Sequence, residues 1–206
     1  SKLHELLTTS YTFEPQNVTF LQNANYDQII IALDSLSNVV TPEDNVLVFY
    51  AGHGYWDEKK ELGYWFPADA AKANTARWLR NSTLRDYLYA IKSKHTLLIA
   101  DACFSGGIFK TRAAFGADAD LAVQKLYELP SRKAMTSGTL TEVPDQSVFM
   151  DYLVRRLSEN QLKYLPSEKL FSSFREAVLN NSPVVPQYGT IQGTGDEGGD
   201  FIFIKK

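Results

Sequence analysis

The sequence predicts an α/β protein, a three-layer sandwich whose mainly parallel sheet carries helices on both faces. Three observations lead there. Residues 46–51 and 96–100 are short, unbroken apolar runs, as expected of strands covered on both sides. Elsewhere apolar residues recur at helical spacing, as Ile29, Ile30, Leu33 and Leu36 do. Strand-like and helix-like segments also alternate along the chain, the order that builds parallel sheets. The 206 residues suit one domain.

Residues 2–7 already read as helix, and Val18, Thr19, Phe20 and Leu21 form a short β-prone run. Helical spacing predicts an amphipathic helix over 25–39, broken by Thr41, Pro42, Glu43 and Asp44. The strand at 46–51 ends at Gly52, His53 and Gly54. Residues 55–70 read as a hairpin with a charged tip at 57–61 and with Trp56 and Trp65 on its arms. Ser82 is placed to cap a helix carrying Leu84, Tyr87, Leu88 and Ile91. The second buried strand, 96–100, runs into Asp101, Ala102, Cys103, Phe104, Ser105, Gly106 and Gly107. Residues 108–130 read as a mobile or cleavable loop region with a short helix over 119–129. A strand is expected at 133–137, serine-capped helices at 147–157 and 167–179, and a last strand at 201–204 in a Gly-rich end.

Composition narrows the function. Lys and Arg number 21 against 24 Asp and Glu, a formal charge of −3. A chain held mainly by nucleic-acid phosphates needs a basic face, so no nucleic-acid partner is expected. No apolar run approaches the roughly 20 residues of a membrane span, and no signal segment opens the chain, so neither a membrane nor export is expected. A single cysteine, Cys103, excludes an intrachain disulfide and a Cys-based zinc site. The expectation is a soluble, cytoplasmic protein.

In open parallel sheets, sites form at the carboxyl ends of strands. One such end delivers His53 between two glycines, and the other delivers Cys103 two residues after Asp101. A thiolate is a nucleophile, and an adjacent imidazole can take its proton or stabilise the anion. An oxyanion formed during acyl transfer needs backbone N–H donors, for which Gly54 and Cys103 are the natural candidates. Taken singly, a lone cysteine is a small hydrophobe and a lone histidine a structural polar group. The combination gives both a chemical role.

The paired motifs, Tyr50-Ala51-Gly52-His53-Gly54 and Asp101-Ala102-Cys103-Phe104-Ser105-Gly106-Gly107, resemble those of the caspase-like cysteine peptidases. The likeness is to the metacaspase and bacterial branch more than to the animal caspases. His53 precedes Cys103 by 50 residues, and the family's spacing is about 50. A weaker likeness extends through Pro186-Gln187-Tyr188-Gly189-Thr190 and Gly198-Gly199-Asp200-Phe201. The resemblance implies a His53–Cys103 dyad, an oxyanion hole at Gly54 and Cys103, and a protein or peptide substrate. It implies a regulated protease of cell death, stress or bacterial defence, switched on by a partner protein or by an upstream segment. A caspase-fold module that binds a partner without cleaving it is the alternative.

The resemblance also suggests the specificity. Animal caspases, which cleave after aspartate, carry a glutamine two residues before the nucleophile; here that position is Asp101. A carboxylate suits a basic side chain, Arg before Lys because Arg can bind it bidentately. Glu142 and Asp145, after the strand near 135, are further candidates for the pocket. Lys110 and Arg112 lie where the family is often cut during maturation, which suits self-cleavage after basic residues. Asp196, Glu197 and Asp200 are acidic enough to bring calcium to mind, but their spacing matches no calcium loop, and no metal or other cofactor is expected to be required. The family's first, interior strand precedes its first helix. This sequence opens inside that helix, so the strand is expected on an upstream piece.

Overall fold

The computed structural model describes residues 2–103, 108–110, 119–138 and 147–206. Helix α1 (Lys2–Ser10) leads through a single 3-10 turn to α2 (Tyr26–Val39), and β1 (Asn45–Ala51) follows. Strands β2 (Gly54–Asp57), β3 (Leu62–Trp65) and β4 (Leu79–Arg80) form a small antiparallel sheet, then α3 (Asn81–Ala90) leads into β5 (His95–Cys103). After β6 (Phe109–Lys110) come α4 (Ala119–Glu128), β7 (Ser131–Gly138), α5 (Val148–Glu159), β8 (Tyr164–Pro166) and α6 (Ser167–Asn181). Strands β9 (Gln187–Ile191) and β10 (Ile202–Ile204) end the chain.

The main sheet has the order β1-β5-β7-β9-β6. β1, β5 and β7 are parallel neighbours, whereas β9 runs antiparallel to β7, and β6 antiparallel to β9. The sheet is therefore mixed, with its parallel part carrying both strands of chemical interest. β10 leaves it to pair with β8.

Side-chain alternation explains the unbroken apolar runs. Leu97 and Ile99 of β5 point into a core formed with α1, α5 and α6, while Leu98, Ala100 and Ala102 point into a second core with α2 and α3. β1 does the same: Leu47 and Phe49 face the first core, and Val46, Val48 and Tyr50 the second. A strand with two buried faces has no polar side to show. These two cores are the outer interfaces of the three-layer sandwich.

Several element ends differ from the sequence expectation. The run at 18–21 is no strand: no described segment pairs with it, and Phe20, 54% exposed, leans on the His4 ring at 5.5 Å. A strand needs a neighbour to complete its ladder. Helix α3 starts ahead of Ser82, with Arg80 at its cap and no side-chain cap bond. Ser147 does cap α5, accepting from the Met150 N–H at 3.1 Å, and Asn25 closes a capping box with Gln28 on α2. Ser167 instead begins α6. Its hydroxyl goes to Asp200, whose other oxygen accepts from the Glu168 N–H at 3.1 Å. Asp200 thus caps α6 from across the fold. Within 108–130 the helix expected over 119–129 is α4, tied down at its C-terminal end, while the two-residue strand β6, next to Ile108 buried in the second core, was not expected.

That tie is His95. It is fully buried, with Nδ1 2.9 Å from Ser131 Oγ and Nε2 3.0 Å from the Tyr127 carbonyl oxygen. A carbonyl can only accept, so Nε2 carries the proton and Nδ1 accepts from the serine. Burial, with lesser contributions from the Lys94 and Arg132 charges, pushes its pKa down to about 4 from 6.5. The unfolded chain therefore takes up a proton near pH 6.5 that the folded chain refuses until about 4. Stability is expected to fall as pH drops through that window, by up to about 1.4 kcal/mol per pH unit from this group. Urea titrations of wild type and His95→Asn at several pH values check this. The difference between the two curves should carry the slope, and a parallel pair of curves would contradict it.

Candidate active site

β1 and β5 are joined in register from Asn45 opposite His95 to Ala51 opposite Asp101. Their carboxyl ends consequently emerge side by side. β1 hands over to Gly52 and His53, and the Gly52 N–H still bonds back to the Asp101 carbonyl at 3.3 Å. β5 continues to Cys103, its last residue, after a register shift between Ala100 and Cys103 that leaves Cys103 opposite Gly138 of β7. Such irregularities re-aim a strand end. The fold thus brings the backbones of His53 and Cys103 to the same edge of the parallel sheet.

His53 is exposed and lies at the crossover from the main sheet to the small one. Gly54 opens β2 opposite Trp65 of β3, and the Phe66 N–H donates to the His53 carbonyl at 3.0 Å. Trp65 is buried against Tyr50 at 4.1 Å and donates from Nε1 to Asn81 Oδ1 at 3.0 Å, so its role is packing; Trp56 is half-buried.

Asp101 is 6% exposed. Burial pushes its carboxyl above the usual range; the hydroxyls of Ser147 and Ser137 pull it back, and the charge of Asp151 on α5 adds to the rise. Among the described residues Oδ1 has no hydrogen-bond partner, and neither does Thr136 Oγ1 on neighbouring β7. An acid buried this deeply with an unfilled oxygen is costly unless something cationic or donating reaches it. The surrounding group of Thr136, Ser137, Ser147 and Asp151 is set by the pairing of β5 with β7 and by the start of α5. Ser147 was legible as a cap, but Asp151 carried no sequence signal.

A scan against protein families matches the caspase domain over residues 1–193. The chain belongs to the caspase-domain family. A search of curated proteins finds no match. Among solved structures, this caspase domain is similar to protein GSU0716 from Geobacter sulfurreducens, with a TM-score of 0.52 and 15% identity over 82% of this chain and 74% of that one. That likeness concerns the fold. Family membership makes the chain a domain of a cysteine-peptidase family, for which protein or peptide substrates are the general class.

The remaining candidates of this caspase domain separate by place. Lys110 lies in β6 opposite Thr190, at the far edge of the sheet from β1. Arg112, Glu142 and Asp145 lie outside the described residues. The C-terminal acids face protein donors. Asp196 holds Lys133 at 3.0 Å and the Arg132 N–H at 2.9 Å, while Asp200 accepts from Ser167, Tyr188 and two backbone N–H groups. Oxygens so occupied do not fit a calcium site, and no group of three or more His, Cys, Asp or Glu among the described residues could hold a metal. Gly199 allows the chain to press on the end of α4, where a Cβ would run into the Leu126 and Leu129 carbonyls. No described helix is long and apolar enough to cross a membrane.

Proposed function

We propose that this caspase domain is a cysteine endopeptidase cleaving after basic residues, Arg in preference to Lys. The observation carrying the proposal is the register pairing of β1 with β5, which sends His53 and Cys103 out at adjacent strand ends beside the buried, partly unbonded Asp101.

In this mechanism the substrate's basic side chain reaches the Asp101 carboxylate and meets a charge already stripped of water, where an ion pair is worth most. The Cys103 thiolate attacks the scissile carbonyl carbon, and the displaced electron pair rests on the carbonyl oxygen, held by the Gly54 and Cys103 N–H groups. Collapse breaks the C–N bond, and the leaving amine takes its proton from the His53 imidazolium. Water then attacks the thioester and gives a proton to His53. The acid product leaves, and the thiolate is restored. Activation by a partner protein or an upstream segment, self-cleavage near Lys110 and Arg112, and a role in cell death, stress or defence belong to the same proposal.

The test is hydrolysis of fluorogenic peptides carrying Arg, Lys or Asp before the reporter, with and without calcium. The expected order is Arg above Lys, with Asp uncut. Cleavage only after Asp would retain the peptidase and overturn the pocket. Cleavage of none, together with a Cys103 thiol that alkylates no faster than free cysteine, would favour a binding module.

A further inference from the structure

The His53 ring has no hydrogen-bond partner among the described residues, so no carboxylate or amide there orients it in the way a third catalytic residue would. What is held is its backbone. The His53 carbonyl oxygen accepts two donors from different elements: the Phe66 N–H at 3.0 Å and the Tyr50 hydroxyl at 2.8 Å. The phenol also stands 3.3 Å from the Phe66 carbonyl, but it has one proton, and the shorter contact is to His53.

Tyr50 is itself fixed. Its ring lies 4.1 Å from that of Trp65, whose indole N–H is bonded to Asn81 on α3. Burial pushes the phenol up to about 12, so it stays a protonated donor at any pH near neutral. The turn is shaped around it: a Cβ on Gly52 would stand 2.7 Å from the Tyr50 oxygen and 2.8 Å from the ring carbon bearing it. Gly52 is thus a glycine because the phenol occupies that space. A rigid line runs from α3 through Asn81, Trp65 and Tyr50 to the backbone of His53.

We infer that Tyr50 is a positioning residue for His53, setting the imidazole's aim through the His53 carbonyl with Gly52 as the space it needs. The inference rests on the proposed role of His53 as the proton carrier. Tyr50 touches no reacting atom; it limits how far the histidine can drift, and drift of the order of 1 Å costs about a hundredfold in well-oriented reactions.

Tyr50→Phe removes one oxygen and keeps the ring against Trp65. On an Arg peptide its kcat is expected to fall about ten- to a hundredfold, with KM nearly unchanged. The inflection in the pH profile of Cys103 alkylation by iodoacetamide is expected to move upward, since a loosened imidazolium stabilises the thiolate less. Thermal unfolding reports whether the fold persists. Gly52→Ala crowds the phenol off its acceptor and should give the same pattern, with the double variant no worse than the poorer single one; it also stands in if Tyr50→Phe does not fold. An unchanged kcat and alkylation profile in the folded variants would overturn the inference. His53→Ala serves as reference. A normal alkylation profile there would sink the role of His53 itself, whereas a shift there without one in Tyr50→Phe or Gly52→Ala would sink only the role of Tyr50.

Discussion

Cys103→Ala is expected to abolish peptide hydrolysis, and His53→Ala to lower kcat/KM by about a thousandfold or more. The two effects differ because the groups do different work. Without the sulfur no thioester forms, and only water attack in a shaped cleft remains. Without the imidazole the thiol is still present, but the leaving amine must find its proton in solvent and the thiolate loses its cationic neighbour. The losses should not add, since both residues serve one step. Steady-state rates of the two single variants and the double one on an Arg peptide measure this. His53 is exposed, so thermal unfolding of His53→Ala should barely change. A His53→Ala enzyme as fast as wild type would remove the dyad from the account.

Asp101→Asn is the second large effect. The amide keeps the shape and deletes the charge, so kcat/KM for Arg peptides is expected to drop about a hundred- to a thousandfold, as when one partner of a desolvated charge pair is lost. Peptides with a neutral polar residue in that position should lose far less. Stability should move the other way. The folded-state pKa of Asp101 is raised mainly by burial, so ionising it costs folding free energy at neutral pH, and the variant escapes that cost. A variant less active on basic peptides yet at least as stable is the signature of a group held for function. For wild type, the same shift means that KM for Arg peptides should begin to rise at a higher pH than an ordinary carboxylate would dictate as the solution is acidified. A KM flat with pH, or a variant that loses stability and activity together, would make Asp101 a structural strand-end group.

Strands β1 and β5 were legible because they are short, apolar on both faces and followed by glycine, and the helices because their spacing and serine or asparagine caps are local signals. What the sequence hid was pairing. Strand β9 is a short segment of mixed polarity whose edges are recognisable only against β7, and β6 is a two-residue strand paired with β9. Residues 18–21 have the right residue types for a strand and no described partner. Ser167 looked like a cap because local sequence cannot reveal that Asp200, 33 positions later, takes that work. In the site, His53, Cys103 and Asp101 stood out because each follows an apolar strand. Asp151 and the task of Tyr50 did not, since one meets Asp101 only through helix packing and the other acts through a carbonyl that belongs to a different residue.

The most direct test of the central claim is covalent capture. A peptidyl-arginine chloromethyl ketone, and its aspartate counterpart, would be incubated with wild type, His53→Ala and Asp101→Asn, and the adducts located by intact mass and peptide mapping. The account predicts one adduct per wild-type chain, on Cys103, from the arginine reagent and not from the aspartate one, and far slower labelling in both variants. Equal labelling by the two reagents, or labelling of Cys103 at the same rate in all three proteins, would contradict it.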